Sequence, residues 1–422
     1  MARSTAMRSA LLPLLYLAIA ACATVSFADD SVRSGPPDRS GADEEATRPR
    51  LIDDPEHAGR IAAIPATKPP RPQTDPEIEA LLESLTLRQR IGQRFIAMVQ
   101  GNRVAYGAGR AILEVAPAGF IIYPWNFQTA ADVQRLTSSL QFVASQVTPA
   151  ISLLISADQE GGRVATFRFP EFVKFPSAAA MARFDDPSLI RSAAHITAQQ
   201  LRALGVNMNL APVLDLHPVA DNSIIGDRSF GGDPAAVSRF VRPYLDAFRE
   251  SGIIATAKHF PGHGVTTIDS HHHLPVVSMT LDELMERDLM PFRAAIEAGV
   301  PAIMTGHVLF ERIDPFYPAT ISRVFLHDIL RHELGYEGVV VTDGLEMRAL
   351  SNYYSLPETL VRLFKYDVDL ILLYRDYDVV DLVTMVEELI ESGELTEDDV
   401  NRGVRRVLAL KRAYGLINRE GP

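Results

Sequence analysis

Eight short apolar runs recur between residues 94 and 373: Arg94–Val99, Gly119–Tyr123, Ile151–Ala157, Asn207–Leu214, Ile253–Lys258, Ala302–Gly306, Gly338–Thr342 and Asp369–Leu373. Each has the length of a strand. The segments between them have the apolar spacing of helices: Ala130–Gln146, Pro187–Leu204, Pro234–Ser251, Leu281–Ala298, Ser322–Leu334 and Pro357–Lys365. Several open on a capping residue, such as Thr280 before Leu281-Asp282-Glu283. This alternation suits either a (β/α)8 barrel or a doubly wound open sheet. The barrel is favoured by where polar residues fall, because Asp158, Asp215, Lys258-His259, His307 and Asp343 each directly follow an apolar run. In a barrel these positions converge on one face; in an open sheet they spread along an edge. Two further amphipathic helices, within Asp378–Leu416, are expected to pack on the outside of the barrel.

The 422 residues carry a net charge of −12, which argues against nucleic acid as a partner. Residues 1–28 have the layout of an export signal, with Arg3 and Arg8 before an apolar stretch from Ala10 to Ala20 that is short for a membrane span. Ile19-Ala20-Ala21-Cys22 resembles the lipobox of bacterial lipoproteins, and Cys22 is the one cysteine in the chain. Lipidation at Cys22 is the reading adopted, with cleavage after Ala28 the alternative. Either places the protein outside the cytoplasm, in the periplasm or on an outer membrane. Residues 29–75 are rich in Pro, Asp, Arg and Gly and read as a disordered tether, followed by one catalytic domain over 76–422.

The densest chemistry lies in Lys258–Pro275, KHFPGHGVTTIDSHHHLP. Gly262 and Gly264 flank His263, and Asp269 stands two residues before His271. A carboxylate that orients an imidazole is a general acid–base device. Asp343 ends a hydrophobic strand and is followed by Gly344; the residues alone leave a reacting carboxylate and a helix cap as equal readings. Asp158 opens Asp-Gln-Glu-Gly-Gly-Arg, a tight loop suited to a ligand contact. Arg228, in a loop of turn formers, could fork onto hydroxyls or merely pair with Asp227 or Asp233. No metal is expected: the first strand has no His-x-His, and neither His-Glu-x-x-His nor a Cys pair occurs. His272 and His273 are read as exposed loop residues.

Lys258-His259-Phe260-Pro261-Gly262-His263-Gly264, then Asp269-Ser270-His271, resembles the defining motif of the β-N-acetylglucosaminidases of glycoside hydrolase family 3. Residues 158–163, 210–215, 226–230 and 341–345 match the same family in order. The resemblance implies that Asp343 is the nucleophile of a retaining double displacement, and that His271 is the acid/base with Asp269 as its partner. It implies that Asp158, Arg228, Lys258 and His259 hold the sugar, with no cofactor. The expected substrate is a peptidoglycan-derived or chitin-like oligosaccharide ending in N-acetylglucosamine, and the expected state a monomer. A β-glucosidase, a phosphorylase of the same fold and a non-catalytic wall-binding lipoprotein are the alternatives. Two positions depart from the pattern: Thr166 stands where cytoplasmic members have an Arg, for which Arg168 is the candidate substitute, and Gly344 where many have a second Asp.

Overall fold

A computed structural model describes residues 75–417, apart from 105, 218–223, 265, 267–269, 271 and 375–376. Cys22, the leader and all but the last residue of the 29–75 segment lie outside the described residues. All eight expected runs form parallel strands: β1 (Phe95–Met98), β2 (Gly119–Ile121), β3 (Leu154–Ala157), β4 (Met208–Asn209), β5 (Ile254–Phe260), β6 (Ala302–Thr305), β7 (Val339–Thr342) and β8 (Ile371–Leu372). Their order in the sheet is β7-β6-β5-β4-β3-β2-β1-β8. A bridge from Val341 to Leu370 and a 3.0 Å hydrogen bond from Thr342 N to Leu370 O join the two ends, closing the sheet into the TIM-like barrel.

The strands read as unbroken apolar runs because both faces are buried. Ile96, Ile121, Leu154, Met304, Val341 and Leu372 fill the barrel, while their neighbours Phe95, Phe120, Ile155, Ile303, Val340 and Ile371 pack outward under the helices. The helix expected over Leu281–Ala298 is two helices, Leu281–Glu286 and Leu289–Glu297. Pro291 explains the break, since its ring would meet the carbonyl of Arg287 in a continuous helix. Thr280 caps the first of the pair through a reciprocal bond with Glu283.

The tail differs from expectation. Val379–Glu391 packs outside the barrel, but Glu397–Ala413 lies across its N-terminal mouth, where Val407 and Leu410 join the interior cluster. A barrel open at the bottom would leave the ends of eight strands wet, and this helix seals them. Arg94, at the foot of β1, fastens it: its guanidinium donates to the carbonyls of Asp399 and Val400 on the helix and to those of Val368 and Asp369 before β8. The same seal buries Lys411, whose Nζ donates to Gln93 Oε1 at 2.9 Å.

Burial alone pushes the Lys411 pKa down to about 7. The unfolded chain, with an ordinary Lys near ~10.4, then binds more protons than the folded one between those two values. Stability is therefore expected to rise with pH from about 7 towards 10, by up to about 1.4 kcal/mol per pH unit from this group. Lys411→Met should remove that component, so urea unfolding at pH 7 and pH 9 should show a smaller difference than in the wild type.

Candidate active site

The C-terminal ends of the strands carry the polar residues singled out in the sequence. Strand β5 runs two residues further than the expected Ile253–Lys258, so that His259 and Phe260 also belong to it. Lys258 is 3% exposed, and its Nζ lies 2.6 Å from Asp158 Oδ1 and 2.8 Å from Glu160 Oε1. Arg228 forks onto the same Glu160, Nε to Oε2 and Nη2 to Oε1, both at 2.8 Å. Its partner is thus neither Asp227 nor Asp233; Asp227 is taken by Arg163. Burial would raise the Glu160 carboxyl, but the charges of Lys258 and Arg228 outweigh it and hold the pKa at about 2. For Lys258, burial pulls down and the carboxylates of Asp158 and Glu160 pull up further, so the ammonium stays charged.

Local hydrogen bonds hold the two acids in place. Gln159–Gly161 and Val164–Ala165 form a small antiparallel hairpin, closed by the Gln159 side-chain amide, which accepts from Phe167 N and donates to Phe167 O. Asn209, at the end of β4, accepts from Gln159 N and donates to Gln159 O, pinning the hairpin to the barrel rim. Arg168 is exposed and donates to the carbonyls of Gly162, Arg163 and Ala165, so it ties its own hairpin rather than standing in for an Arg at Thr166.

Asp215 is fully buried and serves β5 from the β4 side. It accepts from the His259 and His263 backbone N–H groups at 3.1 and 2.8 Å, and its Oδ2 is 2.6 Å from His259 Nδ1. That bond places the Nδ1 proton towards Asp215 and leaves Nε2 for a ligand. The loop after β5 is fixed at its entry and its exit. Gly264 sits so close to the Leu216 carbonyl that a Cβ would lie 1.4 Å from its oxygen, and Gly262 adopts φ +137°. At the exit, Val276–Val277 pairs with Leu309–Phe310. Asp269 and His271, between these anchors, lie outside the described residues; Ser270 is buried, with its Oγ 3.2 Å from His263 Nε2. His272 and His273 are exposed.

Asp343 stands at the end of β7, partly buried, with its Oδ1 accepting from Gly344 N at 2.8 Å. Burial would raise its pKa, but nearby His259 and His307, the Gly344 N–H and Lys258 hold it at about 2. His307, at the end of the β6 segment, is held between Thr320 Oγ1 at 2.8 Å and the Gly344 carbonyl at 2.9 Å. The Thr320 hydroxyl in turn donates to Gly306 O, which fixes the ring beside the Asp343 loop. Of the sequence candidates, Asp343, Asp158, Arg228, Lys258 and His259 therefore share one mouth. Glu160, Asn209, Asp215 and His307 complete it. Asp215 and His307 were visible as strand-end polar residues, whereas Glu160 and Asn209 carried no signal beyond their neighbours.

An ionised strand-end carboxylate across a barrel mouth from a hydrogen-bonding array of acids and bases is the layout of a (β/α)8 glycosidase. The chain belongs to glycoside hydrolase family 3: residues 86–410 match the model of the glycosyl hydrolase family 3 N-terminal domain. It is 31% identical over 362 residues to the β-hexosaminidase LpqI of Mycobacterium tuberculosis, an alignment covering 84% of this chain and 90% of that one. It is 31% identical over 321 residues to β-hexosaminidase A of Pseudoalteromonas piscicida, covering 69% of this chain but only 53% of that longer protein. A solved family 3 β-N-acetylglucosaminidase from Paenibacillus superposes with a TM-score of 0.76 at 40% identity, over 80% of this chain and 64% of that one.

Glu160 joins Lys258 and Arg228, in place of the Asp227 or Asp233 considered for Arg228. Glu160→Gln should leave a cooperative fold and lower kcat/KM for a sugar substrate about 100-fold, through misplacement of both cations. Steady-state kinetics beside thermal unfolding checks this.

Proposed function

We propose that the chain is a retaining, exo-acting β-N-acetylhexosaminidase that removes terminal β-linked N-acetylglucosamine from peptidoglycan-derived or chitin-like oligosaccharides. The observation that carries this reading is the Asp343 carboxylate, held ionised at the mouth by His259, His307 and Lys258, with the Asp158–Lys258–Glu160–Arg228 array facing it. The array offers acceptors and donors for sugar hydroxyls, and His259 Nε2 adds another polar contact. In the proposed reaction Asp343 attacks the anomeric carbon, the bond to the leaving oxygen breaks, and a covalent glycosyl-enzyme forms. His271 gives its proton to that oxygen and then takes one from the incoming water, which attacks the same carbon and releases Asp343. Asp269 holds the imidazole. These two roles rest on the Lys258–Pro275 motif and on the family.

Export and anchoring belong to the same proposal. The signal over residues 1–28, with Cys22 as its lipidated residue, would deliver a monomer to the compartment where wall fragments arise.

Asp343→Ala is expected to abolish turnover of an aryl β-N-acetylglucosaminide, by about 10⁴-fold or more, with an unchanged circular dichroism spectrum. Retained activity would refute the assignment. His271→Ala should lose far less on a 2,4-dinitrophenyl leaving group than on chitobiose, because a good leaving group needs little proton assistance; equal losses would count against the acid role. Cys22→Ala should move the protein from the membrane fraction to the soluble one on fractionation of a bacterial host. Release of N-acetylglucosamine from chitobiose, with no release of glucose from cellobiose, separates this reading from a β-glucosidase.

A further inference from the structure

The mouth has two unlike halves. On the β3–β5 side it is lined by paired charges, with Lys258 and His259 3% and 6% exposed. On the β8–β2 side it is aromatic. Tyr123 follows β2, and its ring stacks on Trp125 with centroids 4.6 Å apart and planes 16° from parallel. Tyr374, two residues beyond β8, meets both edge-on, at 5.4 Å from Tyr123 and 6.2 Å from Trp125. Burial, and then the charges of Asp158, Tyr374 and Asp343, raise the Tyr123 hydroxyl pKa, so this ring lies within the field of both carboxylates. The cluster is also tied to the Asp343 loop, because Tyr374 N donates to Glu346 Oε1 at 2.6 Å. Trp125 and Tyr374 are nevertheless 44% and 36% exposed, the price of which in water is an apolar surface left wet beside the site.

We infer that Trp125, backed by Tyr123 and Tyr374, is the platform on which the sugar on the leaving-group side of the scissile bond stacks. The inference rests on the hexosaminidase reading and deepens it. The pyranose of N-acetylglucosamine has axial C–H bonds on its faces and a rim of equatorial polar groups. An aromatic plane takes the first without constraining the second, which suits a leaving sugar that must be held during bond cleavage and then released. The deep charged half orients the terminal residue. The exposed ring stacked on Tyr123 meets what is attached to it. Such a platform favours oligosaccharides over simple glycosides and tolerates variation in the second sugar.

The chain has a single tryptophan, so the platform reports on itself. In full-length Asp343→Ala, chitobiose should quench or blue-shift the tryptophan emission. An unmoved emission at concentrations that saturate binding by calorimetry overturns the inference. Kinetically, Trp125→Ala should lower kcat/KM for chitobiose about tenfold more than for N-acetyl-β-glucosaminyl azide, whose leaving group is too small to reach the ring. Trp125→Phe should recover most of that difference. Equal losses on both substrates mean that the ring only supports the fold, and overturn the inference while leaving the hexosaminidase reading intact. Wild-type enzyme that turns over neither substrate overturns both together.

Discussion

A buried ammonium ion decides how this barrel mouth is built. Lys258 Nζ is out of water and is shared between Asp158 and Glu160, and Glu160 is in turn forked by Arg228. Four charges thus neutralise one another across three stretches of chain: the hairpin after β3, the loop after β4 and strand β5 itself. Removing one partner from such a set leaves a buried charge uncompensated, which typically costs about 3–5 kcal/mol. The geometry that would greet a sugar is therefore fixed before any sugar arrives. The same principle operates behind it, where Asp215 collects two backbone N–H groups and the His259 ring, and so holds the end of β5 and the start of the next loop in one arrangement.

Most of the barrel was legible because its strands are buried on both faces. Such strands show as plain apolar runs, and each polar residue at the end of a run marks the face that carries the site. The strand positions were read to within a few residues. β5 was underestimated because Lys258 and His259 look like the end of a strand; only the charge compensation from Asp158, Glu160 and Asp215 lets them stay inside it. The break at Arg287 is encoded by Pro291, whose effect the apolar spacing of Leu281–Ala298 masks. The position of the last helix was not legible, since Val407 and Leu410 make the same stripe whether the helix packs on the barrel wall or seals its floor.

Within the site, motif residues were easier to find than the residues that hold them. Glu160 follows a more conspicuous Asp158, yet it makes the larger number of ion pairs with the cluster. Asn209 lies inside an apolar run, where nothing distinguishes a hydrogen-bonding clamp from an ordinary strand residue. Gly264 illustrates a different limit. Its place beside His263 suggested backbone freedom, but what requires glycine there is the approach of the Leu216 carbonyl, a contact between segments that no local pattern encodes.

The sealed floor also settles a matter of direction. Asp75, the first described residue, pairs with Arg412, and Glu79 pairs with Arg405, so the chain enters the domain alongside the helix that covers the N-terminal ends of the strands. The carboxylates and bases sit at the opposite pole. The chain preceding Asp75 therefore joins the domain at its base, at the pole away from the residues that would meet a sugar.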